Sequence, residues 1–390
     1  MIERETVSLI AGAPDGWQRQ FELKNAFLLS KTEASSPQET LVKCWEDTTG
    51  VKVSDSKFSV MIPVHNEERS LASSASSLFL SLVPTEVEMQ TDFILNGCTD
   101  GSEKIINCLL CAMSEVTTQN VSKEEFARYQ DAGLQKTYLE AKQGKAVFRI
   151  FKTETKGKAN ALRLGSNIAL ARKHIILISV DANNYVEPDT LMLMFREAHS
   201  RFVSQEDGTV VLSAIPKKVH KKTLGAIEKL LREHGVYDDA SYVPVFGWCM
   251  ALNTQWTAEN IQPVAVEDYA LGAMARSQNK GVVIVEDARI WGYRTNLKDS
   301  VNQFRRSIRG RLQLLNFHPE LRPVLESDNY FMRPLPKRVA IIAEHIKSDP
   351  KRLPKYIWRF IYGEMGLILG NRDYKREPTN QSWTGLSSTK

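Results

Sequence analysis

Apolar and polar positions change period several times between residues 58 and 180. Phe58-Ser-Val-Met-Ile-Pro63 is a nearly continuous apolar run that ends at a proline, the pattern of a strand buried on both faces. A helix is predicted over Glu67 to Leu82, then a strand over Asp92 to Leu95, stopped by the turn residues Asn96-Gly-Cys-Thr-Asp-Gly101. A second helix is predicted over 102–114. A charged stretch near 120–143 reads as a helical insertion, and Val147 to Phe151 as the next strand. The turn at Lys156-Gly-Lys158 leads into a helix through Arg172 and the strand Ile175 to Val180. Strands alternating with helices predict an α/β fold built on a doubly wound, mostly parallel sheet, whose ligands bind at the carboxyl ends of the strands.

Residues 1–54 are polar and weakly periodic and read as an N-terminal extension, 55–318 as the central α/β domain, and 319–390 as a helical, basic C-terminal addition. Composition narrows the class. The chain has 390 residues, 42% hydrophobic and 25% charged, which excludes a disordered, collagenous or disulfide-scaffold protein. A net charge of +5 is mild, so no nucleic-acid partner is expected. Five cysteines favour a reducing compartment, and Cys108-x-x-Cys111 reads as buried core thiols inside a helix. The N-terminus lacks the pattern of a signal peptide, and no run reaches the roughly 18 to 20 apolar residues of a membrane span. The expected location is therefore cytoplasmic. The apolar stretch Tyr356 to Leu369, with Lys351, Arg352 and Lys355 before it, is either a packed C-terminal helix or a peripheral contact at the membrane surface.

Four predicted strand ends collect polar residues: Pro63-Val-His-Asn-Glu67, Asn96 to Gly101, Lys156-Gly-Lys-Ala-Asn160 and Asp181-Ala-Asn-Asn184. On an extended strand end residues i and i+2 share a side, so Asp181 and Asn183 can both offer oxygens to one hard cation. Glu267-Asp268 reads as a helix start. Arg305, Arg306, Arg309 and Arg311 form a basic run on a predicted helix, one face of which suits phosphate. Trp248, after a glycine that permits close backbone approach, is a candidate for stacking on a ligand. His220 and His234 are weaker metal candidates.

The ordered set Ser59 to Glu67, Ile94 to Ser102, Gly157 to Leu162, Val180-Asp-Ala-Asn183, Glu267-Asp268 and Gln303-x-x-Arg306 resembles the family-two glycosyltransferases of GT-A fold, over residues 58 to about 315. The resemblance implies inverting transfer of a hexosyl or N-acetylhexosaminyl group from a nucleotide-diphosphate sugar, commonly a UDP-sugar, with Mg²⁺ or Mn²⁺. By the same resemblance Pro63, His65, Asn66 and Glu67 border the nucleoside, Asn96 faces the base, and Lys158 lies near the nucleotide. Asp181 and Asn183 face ribose, diphosphate and metal. Asp268 is the implied general base beside Glu267, while Gln303, Arg306 and Arg309 meet the diphosphate or acceptor. Asn183 stands where the family usually has a second aspartate, and Ser307 where processive relatives have tryptophan, which points to single or limited transfer. The acceptor, lipid-linked, small-molecule or protein, is left open. The alternatives are a nucleotide-sugar-binding protein on a degenerate transferase fold and a sugar-phosphate nucleotidyltransferase.

Overall fold

The computed structural model describes residues 36–111, 140–154, 156–203, 208–219, 247–293, 297–328 and 332–378, with residue 14 and the short pieces 17–19, 21–23, 115–117 and 134–135. Its centre is a single eleven-stranded sheet. Strands β1 (Lys57–Val64), β2 (Glu88–Asn96), β6 (Ala146–Thr153) and β7 (Ile176–Val180) run parallel in the order β6-β2-β1-β7. On the far side β10 (Cys249–Asn253) pairs antiparallel with β7. Next comes β9 (Thr209–Val219), itself parallel to β11 (Gly281–Tyr293), and the short β8 (Tyr185–Val186) closes that edge. The other edge carries β3 (Glu115–Thr117), β4 (Leu134–Gln135) and β5 (Glu140–Gln143). The doubly wound core expected from the alternating pattern is present.

Why these strands sit at the centre follows from their side chains. Phe58, Val60, Ile62 and Val64 of β1 enter one core, as do Ile176, Ile178 and Val180 of β7, whereas Met61 and Leu177 enter the other. A strand whose alternate residues are apolar on both sides has to be covered on both faces. Helices α1 (Pro37–Thr49), α2 (Leu71–Phe79), α3 (Ser102–Cys111) and α5 (Thr190–Ala198) contribute to the first core. Helices α4 (Lys158–Ala171), α6 (Thr254–Asn260), α7 (Glu267–Ser277), α8 (Leu297–Phe317) and α9 (Arg322–Asp328) contribute to the second. Pro63 lies past the end of the ladder with β7, which stops at Met61, and is paired on one side only, with Ile94 of β2. Helices α10 (Leu335–Ser348) and α11 (Leu353–Arg376) follow at the C-terminus.

Helix α1 starts with a full capping box between Ser36 and Glu39 and places Trp45 in the core, stacked on Phe58 with ring centroids 6.3 Å apart. Trp17 is also buried and donates from Nε1 to the Val186 carbonyl at 2.6 Å. Trp45 thus joins the first core, while Trp17 forms a small separate cluster with Phe21 and Tyr185.

Three local expectations need correction. The described pieces of the stretch near 120–143 are strand, not helix, because they extend the edge beside β6; the remainder lies outside the described residues. Helix α2 begins at Leu71 rather than Glu67, because residues 68–70 first form a turn in which the Ser70 and Leu71 N–H groups close on the Glu67 carbonyl. Cys108 and Cys111 are exposed: α3 turns Ile106 and Leu110, one helical turn apart, into the core, and both cysteines fall off that face.

Candidate functional site

The carboxyl ends of β1, β2, β6 and β7 open toward the starts of α4 and α7, and the polar residues of the sequence motifs collect there. The loop after β1 is shaped by Asn66, at φ 55°, whose Oδ1 accepts from the Thr99 N–H at 2.8 Å. His65 Nδ1 lies 2.7 Å from the Asn96 carbonyl oxygen, and Asn96 Nδ2 donates to the Gly157 carbonyl at 2.7 Å. Gly157 has φ 111°, which only glycine adopts without strain, and that conformation turns the chain from β6 into α4. Glu67 is fully buried and accepts from Ser70 Oγ at 3.1 Å. These residues build and brace the strand ends.

Lys158, the first residue of α4, reaches across the sheet end. Its ammonium lies 2.6 Å from Asp181 Oδ1 and 2.8 Å from Glu267 Oε1, and donates to the Gly247 carbonyl at 3.0 Å. An ammonium has three protons, and this one has three acceptors. A lysine at a helix N-terminus opposes the helix dipole, so its place there depends on the carboxylates in front of it. Burial disfavours the charged amine, but Asp181, Glu267 and Asp268 together reverse that and hold Lys158 charged beyond its ordinary range.

Glu267 and Asp268 open α7, where the dipole favours negative charge. Asp268 Oδ1 accepts from the Tyr269 N–H at 2.8 Å and Oδ2 from the Gly247 N–H at 3.2 Å. A Cβ on Gly247 would stand 2.5 Å from that Oδ2, so glycine is what lets the 247 backbone close on the carboxylate. Trp248 lies beside it, and its carbonyl accepts from the Asp181 N–H at 2.9 Å.

The three carboxylates divide their roles by environment. Burial opposes ionisation of Glu267, yet Lys158 and then Arg306 outweigh it and hold Glu267 below the usual carboxylate range. Burial and the adjacent Glu267 charge push Asp268 up against the pull of Lys158. Burial likewise raises Asp181 to about 6, despite its contact with Lys158. Lys158 and Arg306 bear on both Glu267 and Asp268, and Arg311 on Asp268 as well; the balance leaves Glu267 lowered and Asp268 and Asp181 raised, the directions that suit an anion and a proton acceptor side by side.

The arginine run on α8 divides. Arg306 acts electrostatically on Glu267 and Asp268, and its buried Nε has no hydrogen-bond partner among the described residues. Arg305 instead makes a two-point pair with Asp373 of α11, and Arg309 faces Asp373 and Glu377. Gln303 is exposed. Arg311 lies over the Tyr269 ring at 4.4 Å from its centroid, a contact that no sequence spacing announced. The arginines therefore do not share one phosphate face; the face that buries Arg305 and Arg309 is occupied by the C-terminal helix.

The cation site also differs from its expected form. Residues 182–183 form a turn closed by the Asn184 N–H on the Asp181 carbonyl at 3.1 Å, so Asp181 and Asn183 are not successive same-side positions of a strand. No group of three or more His, Cys, Asp or Glu side chains among the described residues is disposed to hold a metal. Asp181 and Asn183 offer two oxygens, too few for a cation held by protein alone, but enough for one completed by substrate phosphates and water. His220 and His234 lie outside the described residues.

No protein-family model and no curated protein matches the sequence. Among solved structures, the chain is similar to the mannosyltransferase PcManGT from Pyrobaculum calidifontis in complex with GDP-Man and Mn²⁺, at 14% identity over 97% of this chain and 94% of that one, with a TM-score of 0.42. It is also similar to S. aureus TarS residues 1–349 in complex with UDP-GlcNAc, at 13% identity over 82% and 92% of the two chains and a TM-score of 0.38. GalNAc-T7 with UDP, GalNAc and Mn²⁺ matches at 13% identity over 67% of this chain and 48% of that one, with a TM-score of 0.39.

Proposed function

We propose that this protein is an inverting glycosyltransferase that moves a sugar from a nucleotide-diphosphate donor to an acceptor hydroxyl. The observation that carries the reading is the strand-end cluster, in which the half-buried Asp268 is raised above its ordinary range and feels the charge of Arg306, whose Nε has no hydrogen-bond partner among the described residues. A base of that kind and a guanidinium are the two groups that displacement at an anomeric carbon requires.

In this mechanism Asp268 takes the proton of the acceptor hydroxyl as its oxygen forms the new bond to the anomeric carbon. The bond from that carbon to the donor phosphate breaks on the opposite face, and its electron pair leaves with the diphosphate. Arg306 receives the growing negative charge through charge-assisted hydrogen bonds. Lys158 keeps Glu267 ionised and Asp181 in place, which fixes the geometry in which Asp268 works. A divalent cation, held by Asp181 and Asn183 with the donor's own phosphates, would further neutralise the leaving group.

A thermal-shift screen against nucleoside diphosphates and their sugar conjugates tests the reading and names the donor, because a ligand that binds only the folded protein raises its apparent stability. The stabilising conjugate should be turned over by the wild type. Asp268→Asn should bind it equally well with kcat lower by about 10² to 10⁴. Binding without turnover by the wild type would instead favour a nucleotide-sugar-binding protein.

A further inference from the structure

The last two described helices expose an apolar surface that the other described residues leave bare. Helix α11 docks on α8 through its glycines: a Cβ at Gly366 would meet Phe304 Cδ1 at 1.9 Å, and one at Gly370 would meet Ile308 Cβ at 2.8 Å. Another edge of α11 meets α10, where Arg338 pairs with Glu364 at 2.8 Å and the His345 and Tyr356 rings stack 5.4 Å apart. These two contacts set the helices antiparallel.

The large apolar residues lie on neither docked edge. Leu335 and Val339 of α10 are about half exposed, as are Ile357, Ile361 and Met365 of α11, and Ile368 is 66% exposed. Their placement is regular. Arg338 has apolar neighbours three residues before it and one after it, Leu335 and Val339, and Glu364 has Ile361 and Met365 at the same two offsets. Equal rotations from the facing residues of an antiparallel pair arrive on the same side, so both helices present their apolar residues in one plane, away from α8.

Charge identifies what that plane meets. Residues 335–376 hold ten Lys and Arg against four Asp and Glu, a local +6, whereas the whole chain is +5; the rest of the protein is net negative. Two of the four acids, Glu364 and Asp373, are paired with Arg338 and Arg305. Arg372 and Lys375 are exposed and continue the apolar stripe by one further turn. Self-association through this plane would oppose two strongly positive surfaces. None of the described helices is long and apolar enough to cross a membrane.

We propose that the α10–α11 hairpin lies flat on an anionic lipid bilayer, its apolar residues at the boundary of head groups and acyl chains and its Lys and Arg among the lipid phosphates. The proposal is independent of the chemistry assigned to the strand ends. It is tested by cosedimentation of the full chain with phosphatidylcholine vesicles with and without phosphatidylglycerol. The wild type should partition to the anionic vesicles and be released by high salt. Ile361→Glu with Ile368→Glu, and separately Arg372→Glu with Lys375→Glu, should each weaken that partition by about tenfold or more with unchanged thermal melts. Absence of wild-type binding, equal binding to neutral vesicles, or variants that bind like the wild type would overturn the proposal. So would a light-scattering mass of a dimer that the isoleucine variant converts to monomer, since a second copy would then cover the face.

Discussion

Lys158 Nζ and Glu267 Oε1 meet at 2.8 Å between the start of α4 and the start of α7, and that contact ties two helix N-termini to the end of β7 through Asp181. Removing one partner of a buried ion pair leaves the others uncompensated. Lys158→Met should therefore destabilise the protein by about 3 to 5 kcal/mol in urea unfolding. A loss below about 1 kcal/mol would mean that the carboxylates find another counter-charge.

Asp181 and Glu267 should give opposite pH dependences. Folded Asp181 keeps its proton up to about 6 against an ordinary 3.8, so between those values the folded state binds more protons and the stability contributed by this group falls as pH rises. Glu267 lies below its ordinary 4.5, so its contribution is present above 4.5 and lost as pH falls through the folded value. Asp181→Asn removes the first effect. Its melting temperature relative to wild type should climb from pH 4 to pH 6; a flat or falling difference would contradict a raised Asp181.

The divided arginine helix makes a contrast of neighbours. Arg306→Ala should lower kcat by about ten- to a thousandfold, because it removes charge stabilisation of the leaving diphosphate. Arg309→Ala should leave kcat near wild type, since Arg309 faces Asp373 and Glu377 of the C-terminal region. Equal losses in steady-state rates would restore a shared phosphate face.

Gly310 is where α8 closes on the start of α7: a Cβ there would lie 2.4 Å from Val266 Cγ2 and 3.0 Å from the Val266 backbone nitrogen. Gly310→Ala should push the helices apart, costing about 1 to 3 kcal/mol by thermal unfolding. Because Val266 immediately precedes Glu267, turnover should fall as well. An alanine variant with wild-type rate would show that Arg306 does not depend on this approach.

Asn183→Asp tests the cation. A carboxylate in place of the amide should tighten Mn²⁺ binding, read by calorimetry in the presence of the nucleoside diphosphate that stabilises the protein. Unchanged affinity would remove residue 183 from the ion's surroundings.

Much of this site was legible in sequence because it is local. The β1, β2 and β7 runs are apolar on both faces, and their ends carry turn chemistry, so the sheet and the polar mouth followed from period and punctuation. Glu267 and Asp268 were readable as a helix start for the same reason. What was hidden depends on distant partners. Arg305 and Arg309 look equivalent to Arg306 along α8 until Asp373, far along the chain, claims one side. The acids that surround Lys158 come from two other elements, so its role as their shared counter-charge was invisible. Cys108 misled because an apolar neighbourhood does not say which side of a short helix is covered.

The burial of Lys158 has a spectroscopic consequence. Its ammonium is held within 3.0 Å of oxygens of Asp181, Glu267 and Gly247 and away from solvent, whereas a surface lysine exchanges its protons freely with water. Isotope-labelled lysine should therefore give one slowly exchanging ammonium resonance distinct from the rest. Its position would report, without turnover and without knowledge of the acceptor, each time a donor phosphate or a cation draws Asp181 away.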